Sequence, residues 1–350
     1  MAAIDIFSRV NNFLMGLFGA LVATNPPLAV SNLVQEQTGL AVPVAATPEE
    51  KELRAVMLAD DLAQAEVGDW ISTNSPTSLA TGTNTLAESK AAFNHRIAAR
   101  FDEVRHRYDG FLRNHPGNAR GFLAYGSFLN EIGDEEGART QYENSRQLDP
   151  KNPAVWNNLA NYYGEYGQLT NAFAYYAEAI RLKPDEPVYY QNFATTVYLF
   201  RSDARAFYHC NEQQVFDKSL ELYRQAIKLA PGNFVFATDY AESYYGIKPL
   251  RTNDALAAWT NALQAAHTDL ERQGVELHLA RVKLAAGYFT EASNHLAAVT
   301  NANYLDLKLR LERNLAEREN PTADPGAEIP TNASAPPVPA VPPPPRQPKP

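Results

Sequence analysis

Three prolines set the scale of this chain. Pro116, Pro150 and Pro184 stand 34 residues apart, and four other pairs keep that spacing: Gly133 with Gly167, Ala138 with Ala172, Tyr142 with Tyr176, and Phe122 with Trp156. A recurrence of this length marks a unit that is built, closed and built again, the signature of stacked repeats. Each unit is helical twice. In the second, Trp156, Leu159, Ala160 and Tyr163 advance by three, one and three, which puts them on one face of a helix. After Gly167, Ala172, Tyr176 and Ala179 advance by four and three on a second helix. Asn152-Pro153 supplies a capping residue followed by proline at the first helical position, and Pro184 closes the unit.

The small and large residues have separate tasks. Alanine or glycine lets two helix backbones approach closely, and rings fill the space beside each approach. One unit alone leaves part of this layer wet, and stacking the next unit buries it.

These residues resemble the tetratricopeptide repeat, a 34-residue helix–turn–helix unit. The family pattern has a large residue at position 4, Leu-Gly at 7 and 8, Tyr at 11, Ala at 20, Phe at 24, Ala at 27 and Pro at 32. The unit 153–186 places Trp156, Leu159, Ala160, Tyr163, Ala172, Tyr176, Ala179 and Pro184 there, and the unit 119–152 places Phe122, Tyr125, Gly126, Leu129, Ala138, Tyr142, Ser145 and Pro150. The register extends to a third unit, 187–233, carrying an insertion around 200–213 that holds His209 and Cys210. A fourth covers 234–268, with Tyr240, Ala241, Tyr244, Ala255, Trp259 and Ala262. A weaker fifth covers 273–303, with Leu279, Ala280, Gly287, Ala292 and Leu296. The resemblance implies an all-α fold, a right-handed superhelical solenoid of helix–turn–helix repeats over residues 86–318.

Upstream, Val104, Tyr108, Phe111 and Pro116 match the second helix of a unit ahead of the first. Its first helix is expected near Leu86 to Ile97, a poor match suited to a cap. Residues 51–85 are read as another helix followed by a Ser/Thr/Asn-rich loop. The charged helix near 305–318 is read as the terminal cap that repeat arrays need for solubility. From residue 319 the chain turns proline-rich, with 12 of its 24 prolines, and is expected to be an extended tail.

The N-terminal 1–50 carries NFLMGLFGALVAT, Asn12 to Thr24, ahead of a flexible linker. A membrane-spanning helix needs roughly 20 apolar residues, so this run is short for a span but suits a signal-peptide core. Two readings stay open: export or membrane association through residues 10–24, hence an envelope location, or an apolar helix that packs on the rest of a cytoplasmic protein.

The composition narrows the function. A formal charge of −9 gives no basic face for nucleic acid. The single Cys210 excludes an internal disulfide and a multi-cysteine metal site. Phosphate-loop, hydrolase-elbow and zinc-protease patterns are missing from the sequence. The pairs His95/His106 and His209/Cys210 read better as solvated histidines and a passive thiol than as a metal or catalytic site. The expectation is a non-catalytic scaffold with no cofactor and no metal. A structural or assembly component of the cell envelope, or an enzyme accessory subunit, is the alternative.

In the family, the first helices of successive units line a concave groove that holds peptides, facing it with positions 2, 5, 9 and 12. The resemblance places Arg120, Leu123, Ser127 and Asn130 there, then Asn157 and Asn161, then Gln191, Thr195 and Tyr198, then Thr238, Glu242 and Tyr245. The amides of Asn157, Asn161 and Gln191 suit an extended backbone, since each can donate and accept. Members that grip a C-terminal carboxylate use Lys, Asn, Asn, Lys and Arg at set positions. Here those positions hold Leu123, Ser127, Asn158, Val188 and Asn192, so no carboxylate clamp is expected.

Overall fold

The computed structural model describes residues 47–73 and 90–319. The apolar stretch 10–24, most of the Ser/Thr/Asn-rich loop and the proline-rich tail lie outside them. The chain divides into two compact units at His267/Thr268. The first holds eleven of the described α-helices: α1 (Pro48–Thr73), α2 (Lys90–Asn114), α3 (Ala119–Glu131), α4 (Glu135–Leu148), α5 (Pro153–Tyr166), α6 (Leu169–Leu182), α7 (Pro187–Leu199), α8 (Arg201–Tyr208), α9 (Glu212–Leu229), α10 (Phe234–Ser243) and α11 (Thr252–Ala265). The second holds α12 (Asp269–Ala285), α13 (Phe289–Ala297) and α14 (Leu305–Glu319). No described helix is long and apolar enough to cross a membrane.

Several helices begin where the sequence supplies a cap. The Oδ1 atoms of Asn118, Asn152 and Asn233 accept from the backbone N–H of Gly121, Ala154 and Phe236 at 2.7, 3.0 and 3.1 Å. These bonds satisfy donors that a helix start leaves open. Asp134 caps α4 through Gly137 at 3.0 Å. Asn211 and Gln214 form a reciprocal capping box at the start of α9. Helix α5 stops at Gly167, whose φ of 103° is a left-handed conformation that an L side chain resists.

The helices pair as the repeat register requires: α3 with α4, α5 with α6, α7 with α9, and α10 with α11. Ala138, Ala172, Ala226 and Ala255 are buried. The close approach is explicit at Gly126, where an added methyl would sit 2.6 Å from the Tyr142 ring and 3.2 Å from the Ala138 carbonyl oxygen. Where serine replaces alanine in this layer, its hydroxyl finds the facing backbone. Ser145 donates to the Ala119 carbonyl at 2.8 Å and Ser219 to that of Ala194 at 2.9 Å. Both serines are fully buried, so an unmade bond would be costly. The position-4 rings act across the turn as well as in packing. Trp156 Nε1 donates to the Pro150 carbonyl at 2.8 Å and the Tyr190 hydroxyl to that of Pro184 at 3.0 Å.

One expectation changes. The region near Leu86 to Ile97 is not a separate first helix, because Lys90–Asn114 is one continuous helix. No glycine or proline lies between Lys90 and Gly110 to break it. The helix paired with α2 is α1. It is fastened to α2 and α3 by Arg100 to Glu66 at 2.8 Å, Arg120 to Glu50 at 2.8 Å, and Gln64 Nε2 to Glu131 Oε2 at 3.1 Å. The insertion, for its part, forms the short helix α8, which packs on α9 and α6. Its Phe207 and Tyr208 lie against Phe173, with ring centroids 5.2 and 6.0 Å apart. His209 ends α8 with a φ of 51°, and Cys210 packs at the edge of the same apolar cluster. In the second compact unit α12 pairs with α13, with Leu279, Ala280, Ala292 and Leu296 buried, and α14 packs on both.

Candidate functional site

The first helices α5, α7 and α10 lie side by side, and a row of polar contacts links them. Asn192 Nδ2 donates to Asn157 Oδ1 at 3.1 Å, and Gln191 Nε2 donates to Asp239 Oδ2 at 2.8 Å. In both bonds position 5 of one unit meets position 6 of the next. These amides therefore tie helix to helix. Asn157 is fully buried and also donates to Asn158 Oδ1 at 3.3 Å. Gln191 is buried too. The expectation that Asn157 and Gln191 clamp a peptide backbone is corrected on this geometry: spacing gives the face a residue points to, not its depth. Leu123 and Ser127 are likewise buried.

The remaining groove positions retain surface. Arg120 is half-exposed but bound to Glu50 of α1. Asn161 Oδ1 accepts from the Tyr176 hydroxyl at 2.7 Å. Thr195 shares a 2.8 Å hydrogen bond with the Tyr223 hydroxyl. Tyr198 packs near Phe216, with centroids 6.0 Å apart, and Arg201 stands over its ring at 5.3 Å. Thr238 donates to carbonyls of its own helix, Phe234 at 3.0 Å and Val235 at 2.9 Å. Asn130 and Glu242 are exposed. Tyr245 is half-buried, its ring 6.0 Å from that of Trp259.

One residue of this face lies outside the candidates that the family positions name. Asp239 is partly buried at position 6 of the fourth unit, and burial pushes its carboxyl up to about 6 against the pull of the Gln191 bond. The sequence does carry a signal for it. Asn158, Asn192 and Asp239 are all polar at position 6, whereas the groove pattern covers positions 2, 5, 9 and 12 alone.

Two other features bear on chemistry. A cleft of about 540 Å³ lies among α9, α10 and α11, lined in part by Asp217, Arg224, Tyr240, Tyr244, Arg251 and Asp254. Arg251 is paired with Asp217 at 2.6 Å, and the two tyrosine hydroxyls bond each other at 2.8 Å. His106 Nδ1 lies 2.6 Å from its own helix's Asp102 carbonyl oxygen. Among the described residues no group of three or more His, Cys, Asp or Glu side chains could hold a metal ion.

The geometry defines the class: the described residues are all-helical, antiparallel helix pairs follow one another in the first compact unit, and the first helices α5, α7 and α10 share a face. Residues 153–186 match the family model for the tetratricopeptide repeat. The chain thus carries a tetratricopeptide repeat, and proteins built from this repeat are in general protein-interaction scaffolds and typically non-catalytic. Among solved structures it is similar to MamA, at 21% identity, 49% of this chain, 92% of that chain and a TM-score of 0.40. It is also similar to PilW, a type IV pilus biogenesis factor, at 11% identity, 63% and 96% coverage and a TM-score of 0.47. A third is a thermophilic tetratricopeptide repeat protein of Thermus thermophilus, at 19% identity, 57% and 100% coverage and a TM-score of 0.40. No curated protein sequence matches the chain.

Proposed function

We propose that this protein captures an extended polypeptide segment along the face of α5, α7 and α10, and does no chemistry on it. The observation that carries the reading is the division of labour on that face. Asn157, Asn192 and Gln191 fix the helices to one another, while Thr195, Tyr198, Thr238, Glu242 and Tyr245 keep surface beside them. Half-buried tyrosines supply apolar area with a polar tip at low entropic cost, and hydroxyls can serve a peptide backbone. A scaffold that is already rigid spends little of its binding energy on ordering itself.

Thr238→Trp tests this. The threonine hydroxyl bonds within its own helix, so the substitution changes the face more than the fold. Peptides selected against the full chain from a displayed random library are expected to bind the variant at least tenfold more weakly, with unchanged helicity and melting temperature. Equal affinity for the well-folded variant would remove the face from consideration.

A further inference from the structure

We infer that the α7–α10 part of this face selects a basic side chain, a lysine or arginine of the captured segment, and seats its cation on Asp239. The inference rests on the peptide-capture reading and names the chemistry of its ligand.

Asp239 Oδ2 receives one hydrogen bond, from the neutral amide of Gln191 at 2.8 Å. Oδ1 accepts nothing among the described residues, although a carboxylate has room for several donors. From α9 the group facing it is the Tyr223 hydroxyl, which is engaged with Thr195. On its own helix stands Glu242, exposed, a further negative charge rather than a counter-ion. The arginine that follows α7 is Arg201, which donates to the Tyr198 carbonyl at 2.7 Å, stands over the Tyr198 and Phe216 rings and lies 3.5 Å from Glu212. Among the described residues no cation lowers the Asp239 carboxyl, whose proton affinity is set by burial and the Gln191 bond.

A partly buried carboxylate without a cation costs free energy, because burial removes water without returning an opposite charge. Several carboxylates of the first compact unit have that charge within the chain: Arg120 answers Glu50, Arg105 answers Asp134, and Arg251 answers Asp217, whereas Asp60 and Glu131, like Asp239, have none. What sets Asp239 apart from those two is its place on the proposed capture face, where a bound segment can bring a cation. The residue keeps part of its surface. Tyr198 and Tyr245 lie further along the chain towards the ends of α7 and α10, each keeping surface that can pack along the aliphatic stem of a lysine or arginine. An ammonium or guanidinium there would form a charge-assisted bond, about twice as strong as a neutral one.

The test uses two displayed peptide libraries with identical random flanks. One fixes Lys or Arg at the centre, the other Asp or Glu. Full-length protein is expected to enrich the basic library at least tenfold over the acidic one. Against the selected peptides, Asp239→Asn, which keeps an oxygen for the Gln191 amide, should lower affinity about tenfold without lowering the melting temperature. Replacing the central lysine of a selected peptide by alanine should cost a similar factor, and the two losses should not add. Basic and acidic libraries enriched alike, or Asp239→Asn binding as tightly as the natural chain, would overturn the assignment. If the selected peptides then remained sensitive to Thr238→Trp, only the basic specificity would fall. If they were insensitive to it, the capture face itself would fall with it.

Discussion

Tyr176→Ala should destabilise the first compact unit by on the order of 3–5 kcal/mol, the usual cost of removing a large buried aromatic side chain. Tyr176 occupies the ring position of the second helix in the 153–186 repeat and is only 2% exposed. Its ring stacks on Phe193 of the next repeat with centroids 5.3 Å apart, and its hydroxyl donates to Asn161 and accepts from Thr196 at 3.1 Å. The substitution opens a cavity between two repeats and strands two polar partners. Tyr176→Phe separates the effects, because it keeps the ring and should lose only about 1 kcal/mol for the hydroxyl. Denaturant midpoints of the full chain give both values. A loss for the alanine variant no larger than for phenylalanine would mean that the ring does not knit the repeats together.

The second large effect is a pH dependence at the N-terminal end of the array. Helix α1 brings Asp60 against Tyr108 of α2, which donates to Asp60 Oδ2 at 3.0 Å, and brings Gln64 against Glu131 of α3. Among the described residues no arginine or lysine lowers either carboxyl, of which Asp60 is buried and Glu131 half-buried. Burial raises Asp60 from 3.8 to about 7, aided by the charge of Asp61, and raises Glu131 from 4.5 to about 8, aided by Asp60 and Asp61. A carboxyl that holds its proton more tightly when folded lends stability fully below its unfolded pKa. That contribution is lost as the pH rises through the folded value. The docking of α1 should therefore be tighter at pH 5 than at pH 8, a tenfold change in proton affinity corresponding to about 1.4 kcal/mol. Asp60→Asn with Glu131→Gln keeps the hydrogen-bonding oxygens and removes the titration. The double variant should gain stability over the natural chain as the pH rises from 5 to 8. Parallel stability curves for the two proteins over that range would refute the buried acid pair.

The repeat register was legible because it rests on residue size. Alanine at 138 and 172 and tyrosine at 142 and 176 recur for a packing reason, and the structure buries all four. The pairing of α1 with α2 was not legible. Repeat spacing extrapolated upstream expects a first helix near 86–97, whereas the pairing is decided by contacts such as Asp60–Tyr108 and Arg100–Glu66, which span 48 and 34 positions in sequence. The candidate face was legible in direction but not in depth. Asn157 and Asn161 are one helical turn apart, yet one lies wholly between neighbouring helices and the other keeps surface. Asp239 escaped notice because its meaning depends on what does not stand opposite it, and only assembled helices reveal that.

The central claim is that ligands engage the face of α7 and α10. Hydrogen–deuterium exchange of the full chain, with and without a selected basic peptide, tests it most directly. The account predicts slowed exchange in Pro187–Leu199 and Phe234–Gly246 on binding. Protection confined to α9 and α11, around the Arg251–Asp217 cleft, with none in α7 or α10, would contradict it.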